Sequence, residues 1–415
     1  MDTAATLFSG GGGADVGLSA AGLDVKWGLE HDEEIAQVAR DNGLNIHTAD
    51  VTDIDPEWYE RVDVLHASPP CPNFSVAKTG GEETDEDVSL ARATVRFVEA
   101  IEPSLFTLEN VWGYRKSQSW RLIREHLQQN GYDWNGWHLN CANWGVPQTR
   151  KRMIVAARKG GPRPKRPTAT HAKEPPTGGL FGDTLDEWVG WYEAIEDLIP
   201  TLPETELADW QKERLPNELC ETTMAPVQGA DSTDFPGKNP SQTVPVKGHS
   251  TGNWSAIICD TQPNARGDNR QEGQPTKSVD ATHSANRRAV LVGTNTVDGD
   301  APPIRQDGPA LTQRPNDDGR LRAVLVNESS TLEEREAAEP AASQVATERN
   351  QRQRAIMHRR VVQMTPRALA RFQTFPDGYD LPDTKSLACR IIGNAVPPLA
   401  MKKWAQQWVT SSKDF

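Results

Sequence analysis

From residue 4 to residue 160, short apolar runs alternate with amphipathic ones, and this alternation constrains the fold more than any other feature. Residues 4–8, 25–29, 62–65, 105–108 and 153–157 read as strands. Residues 15–21, 33–42, 89–101 and 120–129 read as helices, the third with Leu90, Ala93, Phe97 and Ala100 near helical spacing. Strands and helices joined by short links predict a doubly wound α/β sheet. Ligands of such sheets bind outside the carboxyl ends of the strands. The residues that follow each strand therefore carry the functional information.

After the first strand comes Phe8-Ser9-Gly10-Gly11-Gly12-Gly13, which opens a helix. A turn of this kind lets backbone N–H groups approach a ligand closely. A dinucleotide fingerprint needs a third glycine, and that position holds Asp15 or Val16 depending on where the count begins. A Rossmann oxidoreductase is therefore excluded. Glu30, ending the second strand, is placed for ribose hydroxyls, and Asp50 before Val51 could bond an adenine amino group. Each acid alone reads as a surface carboxylate. Together with Ser9–Gly13 they fit a nucleoside cofactor that lacks a pyrophosphate.

The strand at 62–65 leads into Ser68-Pro69-Pro70-Cys71-Pro72. The prolines stiffen the loop and hold one thiol at the sheet edge. A lone cysteine is usually a small buried hydrophobe. Glu109-Asn110-Val111 follows the strand at 105–108 and places a carboxyl group on the same edge. A carboxylic acid beside a thiolate permits conjugate addition to a pyrimidine, with sulfur attacking C6 while the acid supports N3. Gln148-Thr149-Arg150-Lys151-Arg152 precedes the late strand. Its arginines, two apart on extended chain, share a side and could bond the base, its phosphate or Glu109.

Net charge is −13 over 415 residues, which disfavours a nucleic-acid partner until its distribution is examined. Residues 148–173 and 349–376 contain no acid and many arginines and lysines, Lys151, Arg163 and Lys165 among them. Such stretches are expected of phosphate contacts. The five cysteines, Cys71, Cys141, Cys220, Cys259 and Cys389, form no Cys-x-x-Cys pair, which argues against disulfides and a zinc site. No apolar run reaches the roughly 18 residues of a membrane span. Met1-Asp2-Thr3 runs straight into a strand, and the expectation is a cytoplasmic, nucleoid-associated monomer.

Composition changes at Gly160-Gly161-Pro162, which reads as a linker. Residues 185–199 read as an amphipathic helix with Trp188, Trp191, Ile195 and Leu198 on one side. Pro240, Pro275 and Pro309, 35 and 34 residues apart, each begin a unit of loop, polar tip and strand, with strands at 256–259, 289–292 and 323–326. Three such repeats are expected to stack. Residues 329–348 are Ala- and Glu-rich and read as a linker.

The blocks Phe8–Gly12, Glu30, Asp50-Val51, Pro69-Pro70-Cys71, Glu109-Asn110-Val111 and Gln148-x-Arg150-x-Arg152, with residues 364–376 and 392–398, occur in one order. In that order they resemble the C5-cytosine DNA methyltransferases. The resemblance covers roughly residues 1–160 and 359–410. It implies a Rossmann-like catalytic domain (1–160), a smaller, mostly β target-recognition domain (161–375, repeats at 235–326) and a returning C-terminal segment (376–415). It also implies double-stranded DNA as partner and a cytosine flipped out of the duplex, and it leaves open a cognate restriction endonuclease as a separate chain.

By the same resemblance Cys71 is the nucleophile, Glu109 the acid at N3, and Arg150 and Arg152 the partners of base and acid. Phe8, Ser9, Gly10, Gly12, Glu30, His31, Asp50, Val51, Pro70, Asn394 and Ala395 would form an S-adenosyl-L-methionine pocket. Arg287, Arg288, Arg314, Arg320 and Arg322 in the repeats would face DNA. Two residues depart from the family pattern: Pro72 stands where many members have Gln, and His31 where an apolar or aromatic residue covers the adenine. A tRNA cytosine methyltransferase is a second reading, although its Cys-Phe-Thr tripeptide is absent here. A non-catalytic DNA-binding homologue is a third, opposed by intact Cys71, Glu109 and Arg152.

Overall fold

The computed structural model describes residues 2–70, 82–175, 185–205, 254–260, 287–293, 310–311, 322–329 and 356–410. Its centre is a seven-stranded sheet built from β1 (Thr3–Leu7), β2 (Asp24–Glu30), β3 (Ile46–Thr48), β4 (Val64–Ala67), β5 (Leu105–Asn110), β6 (Tyr132–Asn140) and β8 (Lys151–Lys159). The short strand β7 (Gln148–Thr149) lies outside this sheet and pairs with Ala310–Leu311. The sheet order is β3-β2-β1-β4-β5-β8-β6. Six strands run in one direction, and β8 alone runs antiparallel, between β5 and β6. The chain leaves β1 outward to β2 and β3, then returns to lay β4 on the other side of β1. The carboxyl ends of β1 and β4 are thus the point where strand order reverses, the usual ligand crevice.

Helices cover both faces. α3 (Asp85–Ile101) and α4 (Gln118–Gln129) bury Phe97, Ile101, Trp120 and Leu127 against Leu7, Leu65, Phe106 and Leu108. On the other face α1 (Gly13–Ala20) and the C-terminal helix Pro398–Thr410 bury Leu18, Met401, Trp404 and Trp408 against Ala4, Val64, Leu105 and Ile154. Burying a side chain of that size stabilises by roughly 1.5–3 kcal/mol. A third cluster joins Ile35 and Val38 of α2 (Glu33–Asp41) to Trp191, Ile195, Met364, Phe372 and Ile391.

The expected strands and helices form, with shifted ends. α3 starts at Asp85 because Thr84 and Asp87 make a reciprocal capping box and three acids fill the first turn. β3 and β6 were not expected. β3 buries only Ile46 of its three residues, and the Asn and Gly within β6 weaken its strand signal. The helix expected over 185–199 is corrected to one turn and a little more, α5 (Trp191–Ile195), preceded by the two-residue strand Asp186–Glu187. Trp188 leaves the helical pattern because its indole N–H donates to the Asn143 side chain. Only Trp191 and Ile195, four apart, are fully buried. The stretch expected as a linker after Gly160 lies along the C-terminal helix. There Trp408 Nε1 donates to the Lys165 carbonyl, and Gln407 exchanges two hydrogen bonds with Thr168.

The three repeat strands form as Trp254–Asp260, Arg287–Gly293 and Arg322–Ser329, and Ile356–Gln363 completes a four-stranded sheet. The tips between them and most of the Ala- and Glu-rich stretch lie outside the described residues.

Trp404, 1 % exposed, meets Trp144 edge to face at 5.6 Å and fastens the C-terminal helix to the sheet. Trp404→Ala should cost about 3–5 kcal/mol, read as a lowered urea midpoint. An unchanged midpoint would contradict this anchoring.

Candidate active site

At the end of β1 the chain reverses through left-handed residues, Phe8 (φ 62°), Gly10 (55°) and Gly12 (78°). The glycines serve different ends. A Cβ on Gly11 would lie 2.3 Å from Ile391 Cγ2, and one on Gly12 would lie 2.0 Å from Leu44 Cδ1, so both are packing requirements. A Cβ on Gly10 would meet nothing within 4 Å, so the turn opens outward there. The Gly10 N–H donates to Glu30 Oε2 and the Asp32 N–H to Glu30 Oε1, each at 2.9 Å. His31 Nδ1 stands 3.0 Å from the same Oε1, with its ring largely exposed. Asp50 is exposed, and the Thr52 backbone N–H holds its carboxyl below the usual range. Val51 is buried. Asn394 is exposed at the end of the helix Lys385–Asn394, and Ala395 is buried beside Gly13. An opening over Gly10, flanked by an anchored carboxylate, suits a neutral, hydroxyl-bearing nucleoside.

Beneath the turn lies a polar layer that sequence reasoning missed. Thr6, His66 and Thr107 are direct neighbours across β1, β4 and β5. Thr6 Oγ1 donates to Asp15 Oδ1 at 2.7 Å and contacts Ser9 Oγ at 2.6 Å. His66 Nδ1 and Thr107 Oγ1 are 2.9 Å apart. Burial pushes the Asp15 carboxyl up to about 6 and the His66 imidazole down to about 3. At sequence level Asp15 signified only a broken fingerprint, and no local pattern identified His66.

The chemical edge is built from β4 and β5. Ser68 Oγ donates to the Phe8 carbonyl at 3.1 Å, and its N–H to the Leu7 carbonyl at 3.2 Å. Asn110 Nδ2 donates to the Pro69 carbonyl at 3.0 Å. Pro70 is exposed and last before residues 71–81, which lie outside the described residues and include Cys71 and Pro72. Glu109 is 6 % exposed and its Oε1 lies 3.0 Å from Arg152 Nε. The contact is an ion pair off the N–H line, so that oxygen retains hydrogen-bonding capacity. Arg150, 2 % exposed, donates from Nη1 to the Gly393 carbonyl at 3.1 Å. The two arginines thus take different partners: one orients Glu109, the other ties in the C-terminal block.

Lys151 is exposed at the same sheet edge. Arg163 and Lys165 are not brought there. They follow the far end of β8, where Arg163 pairs with Asp133 at 3.7 Å. Nine residues of β8 separate the two edges. Arg287 and Arg288 stand opposite Asp260 and Cys259 on the repeat strands, and Arg322 opposite Val292. Arg314 and Arg320 lie outside the described residues. Among those residues, no helix is long and apolar enough to cross a membrane.

The family model for C-5 cytosine-specific DNA methylase matches residues 3–410. The Type II methyltransferase M.AgeI of Thalassovita gelatinovora is 24% identical, over 96% of this chain and 97% of its own. M.Bsp6I of a Bacillus species is 33% identical over 36% of this chain, and M1.HphI of Haemophilus parahaemolyticus 29% identical over 42%. The chain spans about half the length of those two relatives, 50% and 51%. In fold the chain is similar to a prophage-encoded E. coli protein described as a DNA modification methyltransferase, with TM-score 0.52, 17% identity and 99% of both chains covered.

The buried pair Asp15 and His66 sets a pH signature. His66 is neutral in the fold, so its stabilising contribution is complete above pH 6.5 and is lost as pH falls toward about 3. Asp15 has a raised pKa, so its contribution is complete below its ordinary 3.8 and is lost as pH rises to about 6. Relative to wild type, His66→Gln should therefore gain stability as pH falls below 6.5. Asp15→Asn should gain as pH rises from 4 to 6 and stay level above. Urea midpoints between pH 4 and 7 read both, and parallel profiles would contradict the assignment.

Proposed function

The chain belongs to the C-5 cytosine-specific DNA methylase family, and on that premise we propose that it methylates C5 of a cytosine within a specific sequence of double-stranded DNA. The observation that carries this reading is the edge shared by β4 and β5. Glu109 is buried beside an arginine, and Asn110 holds the loop that leads within two residues to Cys71.

Cytosine C5 is a weak nucleophile. Addition of the Cys71 thiolate to C6, with Glu109 sharing its proton with ring N3, gives C5 carbanion character. C5 then takes up a methyl group, loses its proton, and the thiolate departs. A free thiol is mostly protonated at neutral pH, so the site must favour the thiolate or remove its proton on attack. Arg152 fixes the orientation of Glu109 without capturing all of its hydrogen-bonding capacity. A base inside a duplex is out of reach of Cys71, and extruding it costs a few kcal/mol.

The family implies S-adenosyl-L-methionine as methyl donor, and when bound it supplies an electrophilic methyl group. Its nucleoside would lie over Gly10 against Glu30, with Phe8, Ser9, Gly12, His31, Asp50, Val51 and Pro70 around it and Asn394 and Ala395 closing one side. Residues 1–160 would then form the catalytic part, 161–375 the recognition part with Arg287, Arg288 and Arg322 among its DNA-facing candidates, and 376–415 the returning segment.

Transfer of a labelled methyl group to duplex DNA should be lost in Cys71→Ser and fall about 100-fold or more in Glu109→Gln. Duplex DNA should be labelled in preference to tRNA. Labelling of tRNA alone, or full activity without the Cys71 thiol, would overturn the reading.

A further inference from the structure

Three residues beyond Glu109, Trp112 begins a short turn, Trp112–Lys116, at the same sheet edge. Its ring is stacked on His138 of β6, with centroids 4.4 Å apart and planes 13° from parallel. The Arg115 guanidinium lies over the same ring, 4.6 Å from its centroid. Lys151 and Arg152, opening β8, stand opposite Asn140 and Leu139, next to His138 on β6. Burial lowers the His138 pKa, and the positive charges of Lys151, Arg115 and Arg152 lower it further. The imidazole therefore reports a local excess of positive charge.

That excess is local, in a chain of net charge −13. Among the described residues Arg40, Arg61, Lys159, Arg371 and Arg390 each have a carboxylate partner. Arg152 is paired with Glu109. No carboxylate within ion-pair distance is found among the described residues for Arg115, Lys116 or Lys151, all three exposed. Cations clustered without counter-charges repel one another unless an anion arrives. The Arg115 guanidinium sits over the Trp112 ring, and its forked N–H donors suit a phosphate.

We propose that Arg115, Lys116 and Lys151, mounted around the Trp112–His138 stack, form a phosphate-binding platform for the backbone of double-stranded DNA beside the target cytosine. The proposal rests on the DNA reading above and deepens it. The platform contacts phosphates only, so it positions the duplex without reading its sequence.

The test is binding of a fluorescent random-sequence duplex across a range of KCl concentrations, with wild type and Arg115→Gln/Lys151→Gln. Loss of two phosphate contacts should reduce the slope of log affinity against log salt by about 2 and weaken binding evenly across sequences. The control variant Arg61→Gln/Lys159→Gln removes two cations from the opposite sheet edge, both paired with Glu102, and should leave the slope unchanged. Thermal unfolding of each variant verifies folding, which surface substitutions should preserve. Wild-type binding with an unaltered slope in Arg115→Gln/Lys151→Gln would overturn the platform while leaving the enzymatic reading standing. Failure of the wild type to bind or methylate any duplex would overturn both.

Discussion

The hydrogen bond from Asn110 to the Pro69 carbonyl is the interaction on which the site depends. β4 and β5 run parallel in register, but β4 ends at Ala67 and β5 continues to Asn110. The Asn110 side chain takes over where the backbone ladder stops. It replaces a missing strand pair with one buried side-chain bond and keeps the proline-stiffened loop against Glu109. A buried donor left without its acceptor costs about 1–3 kcal/mol, so Pro69 is held at the edge. On the other side Ser68 bonds the carbonyls of Leu7 and Phe8, which ties the same loop to the glycine-rich turn. The end of β4 and the glycine-rich turn are thus tied to one another.

The distal end of the chain adds further ties. Tyr379 Oη donates to the Gly11 carbonyl, Arg150 to the Gly393 carbonyl, and Arg390 pairs with Asp32 at the cap of α2. Gln373, fully buried, donates to the carbonyls of Ile392 and Ala395. The glycine-rich turn is therefore packed from below by Thr6 and Asp15 and from the side by residues some 370 positions later. That closeness explains why Gly11 and Gly13 admit no side chain, Gly12 being crowded instead by Leu44, whereas at Gly10 the turn opens outward.

Much of this was legible in the sequence, for a physical reason in each case. β1, β4 and β5 are short apolar runs that end in polar punctuation, so their carboxyl ends could be located to within two or three residues. Glu30, Glu109 and the glycine-rich turn then fell on one edge because parallel strands share one. Strand direction carries no periodic signal, so antiparallel β8 could not be told from a parallel strand. Arg150 and Arg152 have identical spacing to their surroundings, yet one pairs with Glu109 and the other with Gly393, a choice made by residues 240 positions away. His66 and Asp15 look ordinary locally, and only the register of β1 with β4 makes them one layer. Leu185 to Ile199 misled because four apolar residues at helical spacing do not reveal that Trp188 has a partner elsewhere.

In the chemistry we propose, the thiol of Cys71 adds to C6 of a cytosine steadied by Glu109. Fluorine at C5 replaces the proton that must leave, so addition to 5-fluorocytosine cannot be undone after methyl transfer. A random-sequence duplex made with 5-fluorocytosine, incubated with the wild-type protein and S-adenosyl-L-methionine, should yield a complex that survives denaturation. Mass spectrometry of its peptides should place the nucleotide on Cys71. Efficient C5 methylation of ordinary duplex DNA with no such complex, or attachment at Cys141 or Cys389 instead, would contradict the account.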